Sequence, residues 1–148
     1  MQLKRIKRKT FYKLFIGLLM KKGKKTKAQN ILNKSFQRFT KKTNLPTTAA
    51  LKNIVKHLGN ILEVKKVRIG RNIKTVPFPI KKGRQKFNII RNFVGAISKD
   101  KKLKVPFYEK VSTEIINITI KFDNKTRHIK NNLNLEIVKN RANAHYRW

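Results

Sequence analysis

Residues 63–78 read EVKKVRIGRNIKTVPF. Apolar and β-branched residues recur at a period of about two on both sides of Gly70-Arg71-Asn72, which is typical of a β-hairpin with a Gly/Asn turn. Proline is tolerated mainly on open sheet edges, so Pro77 and Pro79 favour an isolated hairpin, at about residues 63–80. Its tip carries three cations, Arg68, Arg71 and Lys74. We therefore expect a basic finger rather than a core element.

Three segments with helical periodicity precede the hairpin. Their expected boundaries are Phe11 to Gly23, Lys25 to Lys41, and Thr47 or Thr48 to Gly59. Gly23 is placed to end the first helix, Asn44-Leu45-Pro46 breaks the second, and either threonine can cap the third. The residues expected to face inward are Phe11, Leu14, Phe15, Leu18, Leu19, Ala28, Ile31, Leu32, Phe36, Phe39, Leu51, Ile54, Val55 and Leu58.

Three further helical segments follow the hairpin. Their expected boundaries are Gly83 to about Ile97, Pro106 to about Ile120, and about Leu133 to Ala142. The β-branched run from Ile115 to Ile120 could instead form a strand. Residues 99–102 and 122–132 are predicted to be loops. The residues expected to face inward are Phe87, Ile90, Val94, Ile97, Tyr108, Val111, Ile115 and Ile118, while the last helix presents Leu135 and Val138.

These patterns predict a mainly α fold, a single domain of about six helices with one protruding β-hairpin. A basic N-terminal arm is expected at residues 1–10, the helical domain at 11–141 and an aromatic-basic tail at 142–148. The 39% of hydrophobic residues is enough for a modest core.

The charge of the chain is extreme. Its 148 residues include 39 Lys and Arg against 6 Asp and Glu, a formal net charge of +33 at pH 7. Self-repulsion at this density opposes compaction, so a polyanionic partner is indicated, and nucleic acid is the commonest one. A basic membrane-associating protein and a DNA-architectural protein are the alternatives. The longest apolar run, Leu14 to Met20, is too short to cross a bilayer, which takes roughly 20 residues.

The sequence contains no recognisable catalytic or metal-binding constellation. Its acidic residues are scattered singly, and Glu109 and Glu114 are too far apart along a helix for a clear acid–base pair. The three histidines lack Cys or carboxylate neighbours at metal-ligand spacing, and the chain has no Cys. Residues 21–26, KKGKKT, lack the spacing of a phosphate-binding loop. We therefore expect no enzymatic activity, no metal and no cofactor.

The last eight residues, 141–148, read RANAHYRW. Their rings can stack on exposed bases while the arginines reach phosphates. The alternative is a frayed tail whose Trp148 packs into a core. Other basic clusters lie at helix ends, at the hairpin tip and in the N-terminal arm. The predicted RNA-binding residues are Lys4, Arg5, Lys7, Arg8, Lys9, Lys21, Lys22, Lys24, Lys25, Lys27, Arg68, Arg71, Lys74, Arg84, Arg91, Arg141, His145, Tyr146, Arg147 and Trp148.

Five motifs occur in order over nearly the whole chain. They are FIGLLMKKGKKTKA at 15–28, EVKKVRIGRNIKTVP at 63–77, Arg84 and Arg91 with Val94 and Ala96, Glu109-Lys110 with Glu114-Ile115, and NRANAHYRW at 140–148. In these motifs the chain resembles the small-subunit ribosomal protein seven family in its bacterial and organellar form. The family's patterns are FINxLMxxGKKSKA, EVRxxRVGGxxxxVP, RRxxxxxRWLxxAA, AEKLxxELL and NRAFAHYRW.

The resemblance implies a structural constituent of the small ribosomal subunit. It implies binding to the 3′ major domain of small-subunit rRNA early in head assembly, with the hairpin near the exit-site tRNA and the messenger path. It also implies small-subunit proteins nine, eleven, thirteen and nineteen as neighbours. By motif position, the residues that should face rRNA are Lys21, Lys24, Lys25, Lys27, Arg84, Arg91 and Arg141.

The chain departs from the family pattern at three positions. Arg71 replaces the second Gly of the hairpin motif, Asn92 replaces the Trp of the fourth-helix motif, and Asn134 replaces a His before the last helix. The Lys-, Asn- and Ile-rich composition is typical of an AT-rich organellar genome. We therefore expect a mitochondrial ribosome first and a plastid ribosome second.

Overall fold

The computed structural model describes residues 2–99, 105–120 and 124–147, with side chains from residue 11 onward. The elements in these ranges are α1 Gln2–Leu19, α2 Lys25–Thr43, α3 Thr47–Leu58, β1 Leu62–Ile69, β2 Asn72–Pro79, α4 Lys82–Ser98, α5 Phe107–Ile120, α6 Lys125–Lys139 and a C-terminal 3-10 helix Arg141–Tyr146. The predicted mainly α fold with one hairpin is confirmed. Most of the loop predicted at 99–102 lies outside the described ranges.

One hydrophobic core lies among α1 to α5. α2 packs against α5 and α1 packs against α4, which buries apolar residues that recur every three or four positions. Phe15 and Phe93 meet in this core with ring centroids 5.5 Å apart. Each fully buried Phe, Leu or Ile contributes about 1.5–3 kcal/mol. Most residues predicted to face inward lie in or against this core, but Leu135 and Val138 of α6 are each 60% exposed.

The connections on either side of α2 use left-handed backbone. Lys22 and Gly23 have φ angles of 51° and 70° in the turn before α2. α1 already ends at Leu19, so the prediction that Gly23 ends the helix is wrong, and Gly23 instead shapes the turn. Asn44 ends α2 at a φ of 53°, where its amide donates to the Thr40 carbonyl at 2.9 Å. This end agrees with the predicted break, and a short polar side chain tolerates that conformation.

The start of α3 differs from the prediction. Pro46 occupies the N-cap position without a side-chain hydrogen bond, and Thr47 is already the first helical residue. Proline suits a helix start because it fixes φ and carries no N–H that would need a partner. α3 ends at Leu58, and a Cβ on the following Gly59 would lie 2.8 Å from the Val55 carbonyl oxygen. Glycine is therefore required there by close approach.

α5 and α6 correct two predictions. α5 is helical through Ile120, so the strand alternative for its last residues is wrong. α6 begins at Lys125, so the loop predicted up to residue 132 is wrong over that part. α6 buries Thr126 and little apolar surface. Apolar periodicity therefore could not reveal its first two turns.

Polar contacts hold α6 against the helical body. The side chain of Asn124 caps its first turn. The buried Glu114 carboxylate of α5 accepts hydrogen bonds from the Thr126 amide at 3.0 Å and from the Thr126 hydroxyl at 2.7 Å. Lys130 Nζ donates at 2.8 Å to the His57 carbonyl at the end of α3, and burial lowers the pKa of Lys130. The Glu114 carboxylate therefore holds α6 against α5, and the Lys130 ammonium of α6 holds it against α3.

The hairpin is a two-stranded antiparallel sheet whose tip protrudes and whose base is buried. The strands pair up to Ile69 opposite Asn72, and Gly70 in the turn has a φ of 59°. Val76 and Pro77 near the base are each less than 2% exposed. α6 and the C-terminal 3-10 helix pack against the two strands. The base of the hairpin is therefore buried although it lies outside the core among α1 to α5, and Arg68 and Arg71 at the tip are exposed as expected.

Candidate nucleic-acid interface

A basic turn joins α1 and α2. All five of its predicted RNA-binding residues are exposed, namely Lys21, Lys22, Lys24, Lys25 and Lys27. The turn folds back so that the Lys25 amide donates to the Gly23 carbonyl at 2.8 Å. The first turn of α2 contains no acidic residue, so the positive end of the helix dipole adds to the ammonium groups. This turn can therefore bind phosphates.

The hairpin tip carries three predicted RNA-binding cations in two different states. Arg68 and Arg71 are exposed, and Arg68 Nε donates to the Gly70 carbonyl at 3.2 Å. Lys74 is half-buried, with Nζ 3.1 Å from the Tyr146 hydroxyl and 4.6 Å from the centre of the Tyr146 ring. The two arginines are therefore free to meet an anion, whereas Lys74 is already engaged by the tail.

The C-terminal 3-10 helix is docked on β2. The Asn143 side-chain amide donates to the Thr75 carbonyl at 3.1 Å, and the Thr75 hydroxyl donates to Asn140 Oδ1 at 2.7 Å. The His145 and Tyr146 rings lie 3.8 Å apart between centroids. Tyr146 is therefore covered by a cation and a ring, and is less available for base stacking than the sequence suggested. We call the contacts of Asn140, Asn143 and Tyr146 with β2 the tail brace.

The tail brace joins the hairpin and the tail into one surface. Arg141 and Arg147 are exposed beside the braced residues, and Arg68 and Arg71 extend the same charge along the hairpin. Trp148 lies outside the described residues. The Lys4, Arg5, Lys7, Arg8 and Lys9 backbone belongs to α1, but their side chains lie outside the described part as well.

Arg84 of α4 is tied to the base of the hairpin. Its Nε lies 2.9 and 2.7 Å from the two carboxylate oxygens of the buried Glu63, and Asn88 donates to Glu63 at 3.2 Å. Burial alone would raise the pKa of Glu63, but hydrogen bonds from Arg84, Asn88 and Lys65 outweigh burial and lower it. Arg84 is thus already paired with a carboxylate of the protein, whereas Arg91 on the same helix is exposed. Sequence reasoning missed this pairing.

Three of the four acidic side chains that the structure describes have partners within the protein. Glu63 pairs with Arg84, Glu114 accepts the two Thr126 bonds, and Glu109 of α5 forms an ion pair with Arg38 of α2. Asp100 and Asp123 lie outside the described residues, and Glu136 is exposed on α6. The outer surface is therefore more uniformly positive than the composition alone implies. The only sequence signal for these pairings is how rare acidic residues are in this chain.

The described residues offer several exposed cations for phosphate contacts. None of the helices in residues 2–99, 105–120 and 124–147 is long and apolar enough to span a membrane. Over the same ranges, no three His, Asp or Glu residues come together as metal ligands would. The arrangement suits electrostatic binding of a folded polyanion, with the α1–α2 turn, α4 and the hairpin–tail surface as separate contact points.

Comparison with known proteins adds an independent line of evidence. A family model described as ribosomal protein S7p/S5e matches residues 2–139. The small ribosomal subunit protein uS7m of Reclinomonas americana is 29% identical over 134 residues, 90% of this chain and 82% of that protein. The uS7 protein of Thermosipho melanesiensis is 31% identical over 135 residues, 90% and 84% of the two chains. The uS7m protein of Marchantia polymorpha is 29% identical over 144 residues, 96% and 61%.

Proposed function

The chain belongs to the ribosomal protein S7p/S5e family, and from that premise we propose that it binds the 3′ major domain of small-subunit rRNA and nucleates assembly of the subunit head. Membership in the family supports a structural, non-enzymatic role in the small ribosomal subunit. The finer assignment to the 3′ major domain depends on the resemblance in the five motifs. Binding to this rRNA domain needs a protein surface that can neutralise many phosphates while the helical body stays folded.

The observation that carries the proposal is that most described carboxylates are bound within the protein while many lysines and arginines are exposed. Glu63, Glu109 and Glu114 are each bound to another residue of the protein, so few of the described carboxylates are left to compete with RNA phosphates for the surface cations. The basic turn and the hairpin–tail surface are separated along the chain but belong to one packed domain. A rigid body with several such contact points favours one folded RNA over an arbitrary duplex.

The proposal assigns different tasks to the body and the hairpin. The helical body and the basic turn bind rRNA during assembly. The hairpin tip, with Arg68 and Arg71, lies near the exit-site tRNA and the messenger path of the finished subunit. Small-subunit proteins nine, eleven, thirteen and nineteen are its proposed neighbours.

The proposed location is an organellar ribosome. The uS7m names of the Reclinomonas and Marchantia relatives and the Lys-, Asn- and Ile-rich composition support a mitochondrial ribosome ahead of a plastid one. Bacterial relatives reach similar identity, so the organellar assignment depends on composition as well as on similarity.

The test compares two charge-matched variants. One replaces four lysines of the basic turn by Gln, namely Lys21, Lys24, Lys25 and Lys27. The other replaces four exposed lysines elsewhere, namely Lys13, Lys41, Lys42 and Lys139. Affinity is measured for a 3′ major-domain transcript, a 5′-domain transcript of equal length and anionic vesicles.

We expect the wild-type protein to prefer the 3′ major-domain transcript and the basic-turn variant to lose that preference. The matched variant should keep it, because its lost charges contribute only non-specific attraction. Equal affinity of the wild type for both transcripts, or tighter binding to vesicles, would contradict the proposal.

The assignment of the hairpin tip is tested separately. Residues 68–74 are replaced by a short Gly-containing turn, which leaves the buried base of the strands in place. The variant should still enter subunits, but tRNA handling or reading-frame maintenance should change. Failure to enter subunits would show that the tip is an assembly element.

A further inference from the structure

Three exposed apolar side chains lie on the outer side of α6 and beside it. Ile61 is 80% exposed, and Leu135 and Val138 are each 60% exposed, which places all three among the four most exposed large apolar residues that the structure describes. Leu135 and Val138 are three positions apart and therefore share one face of the helix. Val138 and Ile61 line the same groove between α6 and the segment that leads into β1. We call these three residues and that groove the α6 patch.

The α6 patch is poor in positive charge, although the chain is rich in it. The whole chain has 39 Lys and Arg among 148 residues, yet residues 58–64 and 131–138, which supply the patch, contain none. A surface that binds the RNA backbone needs cations to neutralise phosphates. A helix that lies on an anionic membrane likewise carries Lys and Arg on its polar face. The patch therefore suits neither partner, and neighbouring exposed apolar residues favour a contact with a protein.

The groove of the α6 patch has room for apolar side chains of another protein. Its volume is about 350 Å³, and Ile61, Ile137 and Val138 form apolar parts of its lining. Lys130 also lines it, but its ammonium donates to the His57 carbonyl. A helix satisfies its own backbone groups, so α6 offers no open edge to which a strand could be added. A partner helix that contacts α6 through side chains alone matches this surface.

The charge around the α6 patch indicates an acidic partner. Lys139 directly follows Val138 and is exposed, as is Arg141. Glu136 is exposed too, but it lines a different cleft, which is shared with α4. The formal net charge of +33 makes the protein repel any other basic surface, including a second copy of this chain. Carboxylates beside the apolar face of a partner would instead be attracted to Lys139 and Arg141.

We propose that the α6 patch binds an acidic amphipathic helix of a second protein, with Ile61, Leu135 and Val138 against its apolar face and Lys139 and Arg141 near its carboxylates. The inference rests on the proposed function in one respect, because the partner is then a protein of the same small subunit. Amphipathic helices bind grooves through apolar residues that are spaced three or four positions apart.

The first experiment places a photoreactive group on the α6 patch in reconstituted small subunits. The chain contains no cysteine, so Leu135→Cys introduces a single thiol for a benzophenone maleimide, and Ile73→Cys at the exposed hairpin tip is the matched control. Position 135 should cross-link to a protein peptide that has apolar residues at helical spacing and acidic residues beside them. Cross-linking of position 135 to rRNA alone, or to the same peptide as position 73, would overturn the proposal.

The second experiment uses the isolated full chain and two defined peptides. Both peptides are helical, about 15 residues long and equally rich in Glu, but one has Leu at every third or fourth position where the other has Gln. The Leu peptide should bind the ¹⁵N-labelled chain about tenfold more tightly or better, and should shift the backbone amides of residues 131–139. Equal affinity for the two peptides would show attraction by net charge alone and would overturn the proposal.

Variants of the α6 patch separate apolar docking from charge and from RNA binding. Leu135→Asn/Val138→Asn should remove the preference for the Leu peptide, whereas the matched control Ile73→Asn/Ile120→Asn should keep it, since all four side chains are exposed. Both variants should bind the 3′ major-domain transcript as the wild type does. Circular dichroism checks that each variant is folded. An unchanged preference for the Leu peptide in the patch variant would contradict the inference.

Other occupants of the α6 patch would give different results. A second copy of the chain would make the isolated wild type a dimer in sedimentation velocity and the patch variant a monomer. Trp148 is the single tryptophan and lies outside the described residues, and its emission would shift to the red in the patch variant if it covered the patch. Either result would overturn the proposal, as would binding to anionic vesicles that the patch variant loses.

The two proposals fail separately. If the chain enters small subunits and position 135 cross-links only to rRNA, the docking surface is wrong and the proposed function stands. If the wild-type chain does not prefer the 3′ major-domain transcript but binds the Leu peptide through residues 131–139, the docking surface holds and the proposed function is wrong.

Discussion

Removal of the tail brace should loosen the hairpin without unfolding the helical body. The double variant Asn143→Ala/Tyr146→Ala removes the hydrogen bond to the Thr75 carbonyl and both contacts with Lys74. The hydrophobic core among α1 to α5 contains neither residue. The expected effect is therefore local opening of β2 from the C-terminal 3-10 helix.

The size of the effect follows from the lost contacts. Two hydrogen bonds at 3.1 Å each contribute about 0.5–1.5 kcal/mol net. A lysine 4.6 Å above a tyrosine ring adds about 0.5–1 kcal/mol at a partly exposed site. The sum is about 1.5–4 kcal/mol, and a middle value of about 2.5 kcal/mol corresponds to a roughly 60-fold increase in local opening.

Amide hydrogen exchange of residues 72–76 measures this opening directly. Arg147→Ala is the matched control, because Arg147 is exposed and is not one of the residues of the tail brace. We expect faster exchange in the double variant, unchanged exchange in the control, and unchanged exchange of α2 and α5 in both. Equal protection of β2 in the double variant and the wild type would refute the bracing argument.

Three further predictions concern the stability of the body. Glu114→Ala leaves the two donors of the buried Thr126 without their acceptor and should cost about 2–6 kcal/mol in urea unfolding. Because the pKa of Glu63 is lowered by folding, stability should fall as pH drops below the carboxyl's ordinary value of about 4.5, and Glu63→Gln should make that fall shallower in urea midpoints measured from about pH 6 to about pH 3. Gly59→Ala should cost about 1–3 kcal/mol through its 2.8 Å clash, whereas Gly83→Ala, with open space around its Cβ, should be neutral or stabilising by thermal melting.

The sequence predicts the elements whose apolar residues recur at the regular spacing of a helix or a strand. α2 is the clearest case, because Ala28, Leu32, Phe36 and Phe39 keep one face apolar through several turns. The hairpin is predictable because period-two patterning flanks Gly70, which takes the left-handed conformation that the turn needs. In both cases local sequence and tertiary packing favour the same structure.

The elements that sequence reasoning missed are held by polar contacts between distant residues. The start of α6 depends on Glu114, twelve residues before Thr126, and on Lys130 bound to the carbonyl of His57. No periodicity reports such a contact. A helix with Thr126 as its buried residue is therefore indistinguishable from a polar loop in sequence.

The candidate site was predictable in composition but not in arrangement. Charge and motifs located the exposed lysines of the basic turn. They did not show that Lys74 contacts Tyr146, nor that Arg84 forms an ion pair with Glu63. Each of these pairs joins residues more than twenty positions apart, and only the fold brings them together.

The most direct test of RNA recognition is a paired salt titration. The wild-type protein is titrated with the 3′ major-domain fragment and with duplex RNA of equal length over a range of salt concentrations. About 8 to 12 phosphate contacts would give a slope of log K against log salt of about −6 to −10 for the fragment. We predict that specific binding outlasts binding to the duplex as salt rises. Two curves that fall together at every salt concentration would contradict the central claim, because the protein would then behave as a generic polycation.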